Sequence, residues 1–371
     1  MFVCEVRLMN EKEKLVFQLI KKNPYLSQQE MAEQLGMSRP ALANMISSLI
    51  KRGEIIGRAY VLPEKNQLIT IGGANVDRKF TIEGNTQLGT SNPSSVTESV
   101  GGVARNIAEN LGRLGNFVSL LTTLGEDHDG LLIEQSSNAY INFDLAEKIK
   151  DESTGSYTAI LDHTGELVIA MANMAIYDKL TPQVIQQYEA TLQNASCIII
   201  DLNCPIETVQ FVKDFATQRN ITLAIIPVSS PKMSRMPQDL QGVNYLICNR
   251  DEAETYLQQK VETFEHYEQA VQKLLEKGVE YVLLTLGDQG VMAGHANNVT
   301  HFKAVVTEDI VDVTGAGDAF VSGFLHGMLN NEALEESVQL GLINASKTLQ
   351  SDKTVRTDLT KDNLTNWRNL S

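Results

Sequence analysis

Apolar residues recur along this chain with two different periods. Over residues 11–22, Leu15, Val16, Leu19 and Ile20 fall on one helical face, and Asn23-Pro24 ends the run. Ser27 and Glu30 form a capping box that opens a short helix carrying Met31, Ala32 and Leu35. Gly36-Met37 makes a turn and Ser38 caps a third helix, 39–52, which packs Leu42, Met45, Ile46, Leu49 and Ile50. Residues 54–62 then read as a hairpin. From residue 67 the pattern changes. Short, mostly apolar runs (67–71, 118–123, 197–201, 222–227, 245–248, 281–285) alternate with helical segments (103–114, 130–138, 181–192, 206–219, 267–277). Buried strands alternating with helices predict a mostly parallel α/β domain. Residues 156–161 and 166–170 flank Asp162-His163-Thr164-Gly165 and predict a hairpin.

The first pattern has the element order of a winged helix-turn-helix and resembles the small DNA-binding domains of bacterial transcription regulators. That resemblance places Ser38, Arg39 and Asn44 on the recognition helix and Lys51, Arg52 and Arg58 against phosphates. A helical module for dimerisation, or for packing on the next domain, fits the same pattern. Charge divides the chain at the same place: residues 1–62 hold nine Lys/Arg against six acids, a net +3, which leaves −18 of the total −15 on the rest. The polar segment 63–66 reads as a linker, giving domains 1–63 and 67–371.

With 371 residues, 43% hydrophobic and 21% charged, the composition fits globular domains with full cores. No apolar run reaches membrane-spanning length and no secretory leader is evident, so no membrane partner and a cytoplasmic location are expected. The four cysteines are scattered, without metal-site spacing.

The candidate chemistry centres on Asp312-Val313-Thr314-Gly315-Ala316-Gly317-Asp318, followed by an apolar helical run. A small-residue turn feeding a helix leaves N–H groups free for an anion. Asp318, in the first helical turn, fits a general base beside a phosphate, or an acid that favours the helix dipole. Asn75 and Asp77 follow a strand and two glycines, suiting adjacent sugar hydroxyls or a turn. Gly101-Gly102 permits close approach of backbone to ligand, with Asn106 one helical turn on. Asn249 and Glu252 suit Mg²⁺ through waters, or a capping box. Thr285, Gly287 and Gly290 form a small-residue loop after a strand.

Four of these signals, taken along the chain as Gly72…Asn75…Asp77, Gly101-Gly102…Asn106, Asn249…Glu252 and Gly315-Ala316-Gly317-Asp318, resemble in order and spacing the ribokinase-like (PfkB) family of carbohydrate and nucleoside kinases over about residues 67–371. The resemblance implies a three-layer α/β/α fold with a small β-sheet lid near 78–100 and 153–172, preceded by the all-α (winged) helix-turn-helix. It implies Asp318 as base for the attacking hydroxyl, with Gly315, Ala316 and Gly317 as the anion hole. Asn249 and Glu252 would organise Mg²⁺ and ATP. Thr285, Gly287 and Gly290 would border the nucleotide, with Asn344 near adenine. Asp312 and Thr314 match positions that bind a monovalent cation such as K⁺ in some members. Asn75, Asp77, Gly101, Gly102 and Asn106 would hold the sugar, and a homodimer joined through the lid is expected. Within the family, residues 91–108, 153–157, 161–166, 173–176 and 249–254 are similar to the pseudouridine kinases. That likeness implies ATP-dependent phosphorylation of the 5′-hydroxyl of pseudouridine, with Thr154, Ser156 and Asn173 as base contacts. Another nucleoside or sugar, or a regulator that uses a kinase-like domain as ligand sensor, are the alternatives.

Overall fold

The computed structural model describes residues 10–23, 26–51 and 67–370. The predicted hairpin over 54–62, the linker, Arg52 and Arg58 lie outside the described residues. The chain divides into two compact units, Met1–Pro63 and Glu64–Ser371.

The first unit contains α1 (Glu11–Lys22), α2 (Gln28–Gln34) and α3 (Arg39–Lys51). Asn10 and Ser27 each form a full capping box, with Glu13 and Glu30. Val16, Met31, Ala32, Leu42, Ile46 and Leu49 make its core. Leu15 and Ile50, expected inside, are exposed, because the face that closes the core passes through Val16 and Leu49.

The second unit begins with β1 (Leu68–Ile71), β2 (Asn75–Ile82), β3 (Ser94–Gly101), α4 (Val103–Arg113) and β4 (Val118–Leu121). Next come β5 (Thr123–Gly125), α5 (His128–Ser137), β6 (Glu147–Ile149), β7 (Gly155–Leu161) and β8 (Leu167–Asn173). The predicted 181–192 helix is two short pieces, α6 (Pro182–Gln186) and α7 (Glu189–Leu192). Then follow β9 (Cys197–Asp201), α8 (Ile206–Arg219), β10 (Thr222–Ile226), β11 (Tyr245–Asn249), α9 (Arg250–Leu257) and α10 (Phe264–Glu276). The chain closes with β12 (Tyr281–Thr285), β13 (Val291–His295), β14 (Asn298–Phe302), α11 (Ala316–Leu329), α12 (Leu334–Leu349) and α13 (Lys361–Leu370).

Eight strands form one sheet in the order β14-β13-β12-β11-β10-β9-β1-β4, parallel from β4 to β12. Successive residues of its strands enter opposite cores. Ile198 and Ile200 pack on one face and Cys197 and Ile199 on the other, which gives three α/β/α layers. A second sheet, β3-β2-β7-β8, forms the small lid. It starts where β1 ends, so its root lies over the C-terminal edge of the large sheet, where α/β folds place their sites. No described helix is long and apolar enough to cross a membrane.

Candidate active site

Two glycine pairs and one buried acid build the sugar side of the cleft. β1 runs parallel to β9, so Gly72-Gly73 and Asp201 emerge side by side. The Asp201 carboxylate accepts N–H bonds from Gly73 (2.9 Å), Ala104 (3.0 Å) and Asn203 (2.8 Å). It thereby ties the first glycine loop to the N-terminus of α4. A Cβ at Gly72 would lie 2.2 Å from this carboxylate, and one at Gly102 (φ 97°) would lie 2.4 Å from the Gly73 carbonyl. The sequence reading missed Asp201; its signal was an acid closing the apolar run Ile198-Ile199-Ile200. Tyr177 was missed as well. Its hydroxyl donates to the Ala74 carbonyl (2.5 Å) and accepts from the Ala74 N–H (3.1 Å), fixing the turn into β2.

On β2, Asn75 donates to Asp77 (2.6 Å), and Asn75 pairs in register with Gly101 and Gly155. A Cβ at Gly101 would meet Asp77 Oδ2 at 2.1 Å, so the glycine leaves room for that carboxylate. Burial pushes the Asp77 carboxyl up, against the bond from Asn75 and the charge of Arg105.

Asp318 and the anion cradle face this sugar side. Gly315 (φ 83°) caps α11, and a Cβ there would strike the Thr354 carbonyl at 2.3 Å. The Gly317 and Asp318 N–H groups have no protein hydrogen bond among the described residues. A Cβ at Gly317 would meet no protein atom within 4 Å. The space above Gly317 is therefore open to a ligand, at the positive end of a 14-residue helix. Asn106 Nδ2 donates to Asp318 Oδ2 (2.7 Å), joining the two halves of the cleft. Behind it lies Arg105, buried, bonded to Glu109 (2.5 Å), to the Val100 carbonyl (2.7 Å) and to Asn106 Oδ1. Desolvation raises the Asp318 carboxyl to about 7; the Asn106 bond and Arg105 lower it, while Asp201 and Glu252 raise it. That value lets Asp318 take a proton near neutral pH.

On the nucleotide side, β11 and β12 end together, with Asn249 opposite Thr285. Asn249 and Glu252 form the capping box at the start of α9 (2.8 and 2.9 Å). Only Glu252 Oε2 is used, so Oε1 remains for a metal-bound water. Burial raises this carboxyl, which a cation there would reverse. The residues thus fit Mg²⁺, which would supply charge neutralisation on transferring phosphates. Thr285 Oγ1 donates to the Cys248 carbonyl (3.3 Å). Gly287 (φ 63°) faces open space, and Gly290 (φ 94°) lies where a Cβ would be 2.0 Å from the Phe302 carbonyl. Val306, Ile310, Val311 and Val313 stand exposed on the loop before the cradle, an apolar edge suited to a base that the sequence reading did not pick out.

The structure corrects several expectations. Asn344 is fully buried in α12, donating to the Ala319 carbonyl (2.8 Å), so it braces α11 and does not meet adenine. Thr154 is buried, with its hydroxyl donating to Asp127 (2.6 Å) and accepting from the Gly125 N–H (2.9 Å), so it is not free for a base. Ser156 pairs with Val76 on β2 and with Asn173 on β8, so all three share one face. They therefore face away from Asp77, whose own neighbours are Ser99 and Tyr157. At Asp312 and Thr314, the expected monovalent-cation residues, the carboxylate already has a cationic partner. The Thr314 N–H (2.9 Å) and hydroxyl (2.7 Å) both donate to Asp312 Oδ1, and Lys79 occupies Oδ2 (2.9 Å). In the first unit, Ser38, Arg39 and Asn44 are exposed at and along the start of α3, and Lys51 ends that helix.

A buried carboxylate beside an N–H cradle, opposite polar groups that suit a sugar, fits a phosphotransferase with an alcohol acceptor. The profile of the pfkB family carbohydrate kinases matches residues 65–361, and that of the winged helix-turn-helix DNA-binding domains matches residues 9–55. The chain belongs to the pfkB carbohydrate kinase family and carries an N-terminal winged helix-turn-helix domain. The pseudouridine kinase of Escherichia coli (strain K12) is 30% identical over 81% of this chain and 96% of its own. The uncharacterized sugar kinase YeiI of the same organism is 27% identical over 96% of this chain and 98% of its own. The Arabidopsis thaliana ribokinase complexed with ribose and ATP superposes with a TM-score of 0.74 at 21% identity, covering 83% of this chain and all of that one.

Proposed function

We propose that the chain transfers the terminal phosphate of ATP to the 5′-hydroxyl of pseudouridine. The observation that carries this choice of acceptor is the 30% identity to a pseudouridine kinase along nearly that enzyme's whole length. Asn75 and Asp77 hold the ribose hydroxyls, and Asp77 Oδ2 is free to accept one. The Asp318 carboxylate takes the proton of the 5′-hydroxyl as its oxygen attacks phosphorus, and ADP leaves. The N–H groups of Gly315, Gly317 and Asp318 bear the charge of the transferring group, the Ala316 N–H being turned to the Val313 carbonyl (3.4 Å), and Glu252 would hold Mg²⁺ through water. Asn249, Thr285, Gly287 and Gly290 border the nucleotide. Ser99 and Tyr157, on the Asp77 face of the lid, replace Ser156 and Asn173 as base contacts. A site for pseudouridine needs an acceptor for the second ring N–H that uridine lacks. ATP consumption with pseudouridine, uridine, ribose, fructose and adenosine tests this. Preference for pseudouridine supports it; preference for ribose or another sugar discards the acceptor and the base contacts.

We also infer that the first unit binds DNA through the exposed Ser38, Arg39 and Asn44 of α3, supported by the match of residues 9–55. A salt-dependent mobility shift with promoter DNA, lost when Arg39 and Arg52 become Ala, is expected. No shift at low salt refutes it. The lid supports a homodimer. Val96, Phe80, Ile160 and Ile169 form one cross-strand row on the face away from Asp77, with Val96 and Ile169 more than half exposed. Sedimentation of Ile169→Lys as a monomer, against a dimeric wild type, would bear this out.

A further inference from the structure

Lys79 is a lid residue that ties the lid to the cradle loop. It lies on β2 two positions after Asp77, so both side chains face the cleft. Its ammonium reaches across to the loop that carries the anion cradle and pairs with Asp312 Oδ2 at 2.9 Å. Asp312 is fixed from the other side. Its N–H and that of Val311 reach the Leu349 carbonyl at the end of α12 (3.4 and 2.8 Å). Its Oδ1 takes both Thr314 donors. Desolvation raises its carboxyl, but the Thr314 bonds and Lys79 prevail and hold it at about 2. It is an anion at every working pH, six residues before the base and three before the cradle. An uncompensated carboxylate there repels the phosphates that the cradle binds.

An oxygen-ligated cation needs acceptor lone pairs aimed at it. Here both Asp312 oxygens carry hydrogen bonds, and the partner of one is an ammonium. A monovalent ion at this carboxylate would meet the like charge of Lys79; the protein already supplies the charge. We propose that Lys79 is a positioning residue that delivers, from the lid, the positive charge at Asp312 that a monovalent cation would otherwise provide. Because Lys79 belongs to the lid and Asp312 to the cradle loop, this compensation is complete only when the lid is closed over the site. Transfer then needs no K⁺, and phosphate binding is coupled to closure. The partners are both partly exposed, so the pair adds little to fold stability, and its effect falls on the site.

The inference rests on the phosphotransferase reading but not on the identity of the acceptor. Turnover with Mg²⁺ and ATP would be measured at constant ionic strength in tetramethylammonium chloride and in KCl, for wild type, Lys79→Met and Lys79→Arg. Melting temperature would be recorded in the same two salts without any acceptor, so a wrong acceptor leaves that reading intact. The wild type is expected to be indifferent to K⁺ in both measurements. Lys79→Met should turn over about tenfold more slowly in tetramethylammonium. K⁺ should restore part of that loss and raise this variant's melting temperature, while Lys79→Arg stays K⁺-indifferent. Three results would overturn the proposal: a wild type activated severalfold or stabilised by K⁺, a Lys79→Met variant as fast as wild type, or a slow Lys79→Met that K⁺ does not help. If Lys79→Met does not fold, the wild-type response to K⁺ decides by itself.

Discussion

The two glycine regions of the cleft look alike in sequence but differ in what surrounds them. At Gly72, Gly101 and Gly102 the place of a side chain is already filled, by Asp201, by Asp77 and by the Gly73 carbonyl. At Gly317 that place is empty. Glycine on the sugar side is demanded by the protein's own packing, so those residues position Asp77, Asn75 and α4. Glycine at 317 meets no packing demand, and the space it leaves is kept for the anion. A glycine pattern thus contains two kinds of position, which a packed structure separates and a motif does not.

The largest effect comes from the acid that both regions serve. Asp318→Asn should lower turnover by about a thousandfold while ATP still binds, read by kinetics and by calorimetric titration. Near-normal turnover would remove it as base. Substitution at the glycines tests the comparison itself. Gly102→Ala should cost about 2 kcal/mol or more of stability, seen in denaturant midpoints, since it combines positive φ with a backbone clash. Gly317→Ala should keep the melting temperature and lose about tenfold or more in kcat/KM for ATP. If Gly317→Ala unfolds the protein instead, the open space has a structural role and the distinction fails. Asp201→Asn should destabilise by about 1–3 kcal/mol, because some N–H groups of the Gly73 loop and α4 lose a charged acceptor. The smallest effect concerns pH. A base must be deprotonated, so kcat/KM should rise with pH through about 7, the value to which burial lifts Asp318. Asn106→Ala removes a bond that favours the carboxylate and should move that rise to higher pH. A limb that stays in place would show that Asn106 does not tune the base.

The features that are legible in the sequence rest on short-range physics. Capping boxes at Ser27 and Asn249, the turn before α11 and the alternation of buried strands with helices depend on neighbours within about four residues. The errors at the site concern longer range. Thr154 reads as a free hydroxyl until α5 brings the capping Asp127 beside it. Ser156 and Asn173 read as cleft residues until the pairing of β7 with β2 sets them on the Val76 face. One residue of register decides between the two faces of a strand. Asn344 reads as polar and available until α12 packs on α11, where Gly323 and Gly341 allow close approach, and the side chain is sealed against Ala319.

By itself, then, the sequence determined the elements, the division of charge between the two units, the family, and the small-residue turn that puts Asp318 in the first turn of α11, because those follow from local backbone chemistry and spacing. The tertiary structure decided which polar groups face the cleft, that Asp201 and Tyr177 anchor its floor, that Arg105 and Asn106 bridge to Asp318, and that Lys79 meets Asp312 from 233 residues away. Contacts at that separation exist only once two sheets have packed and their registers are set, and no local pattern encodes them.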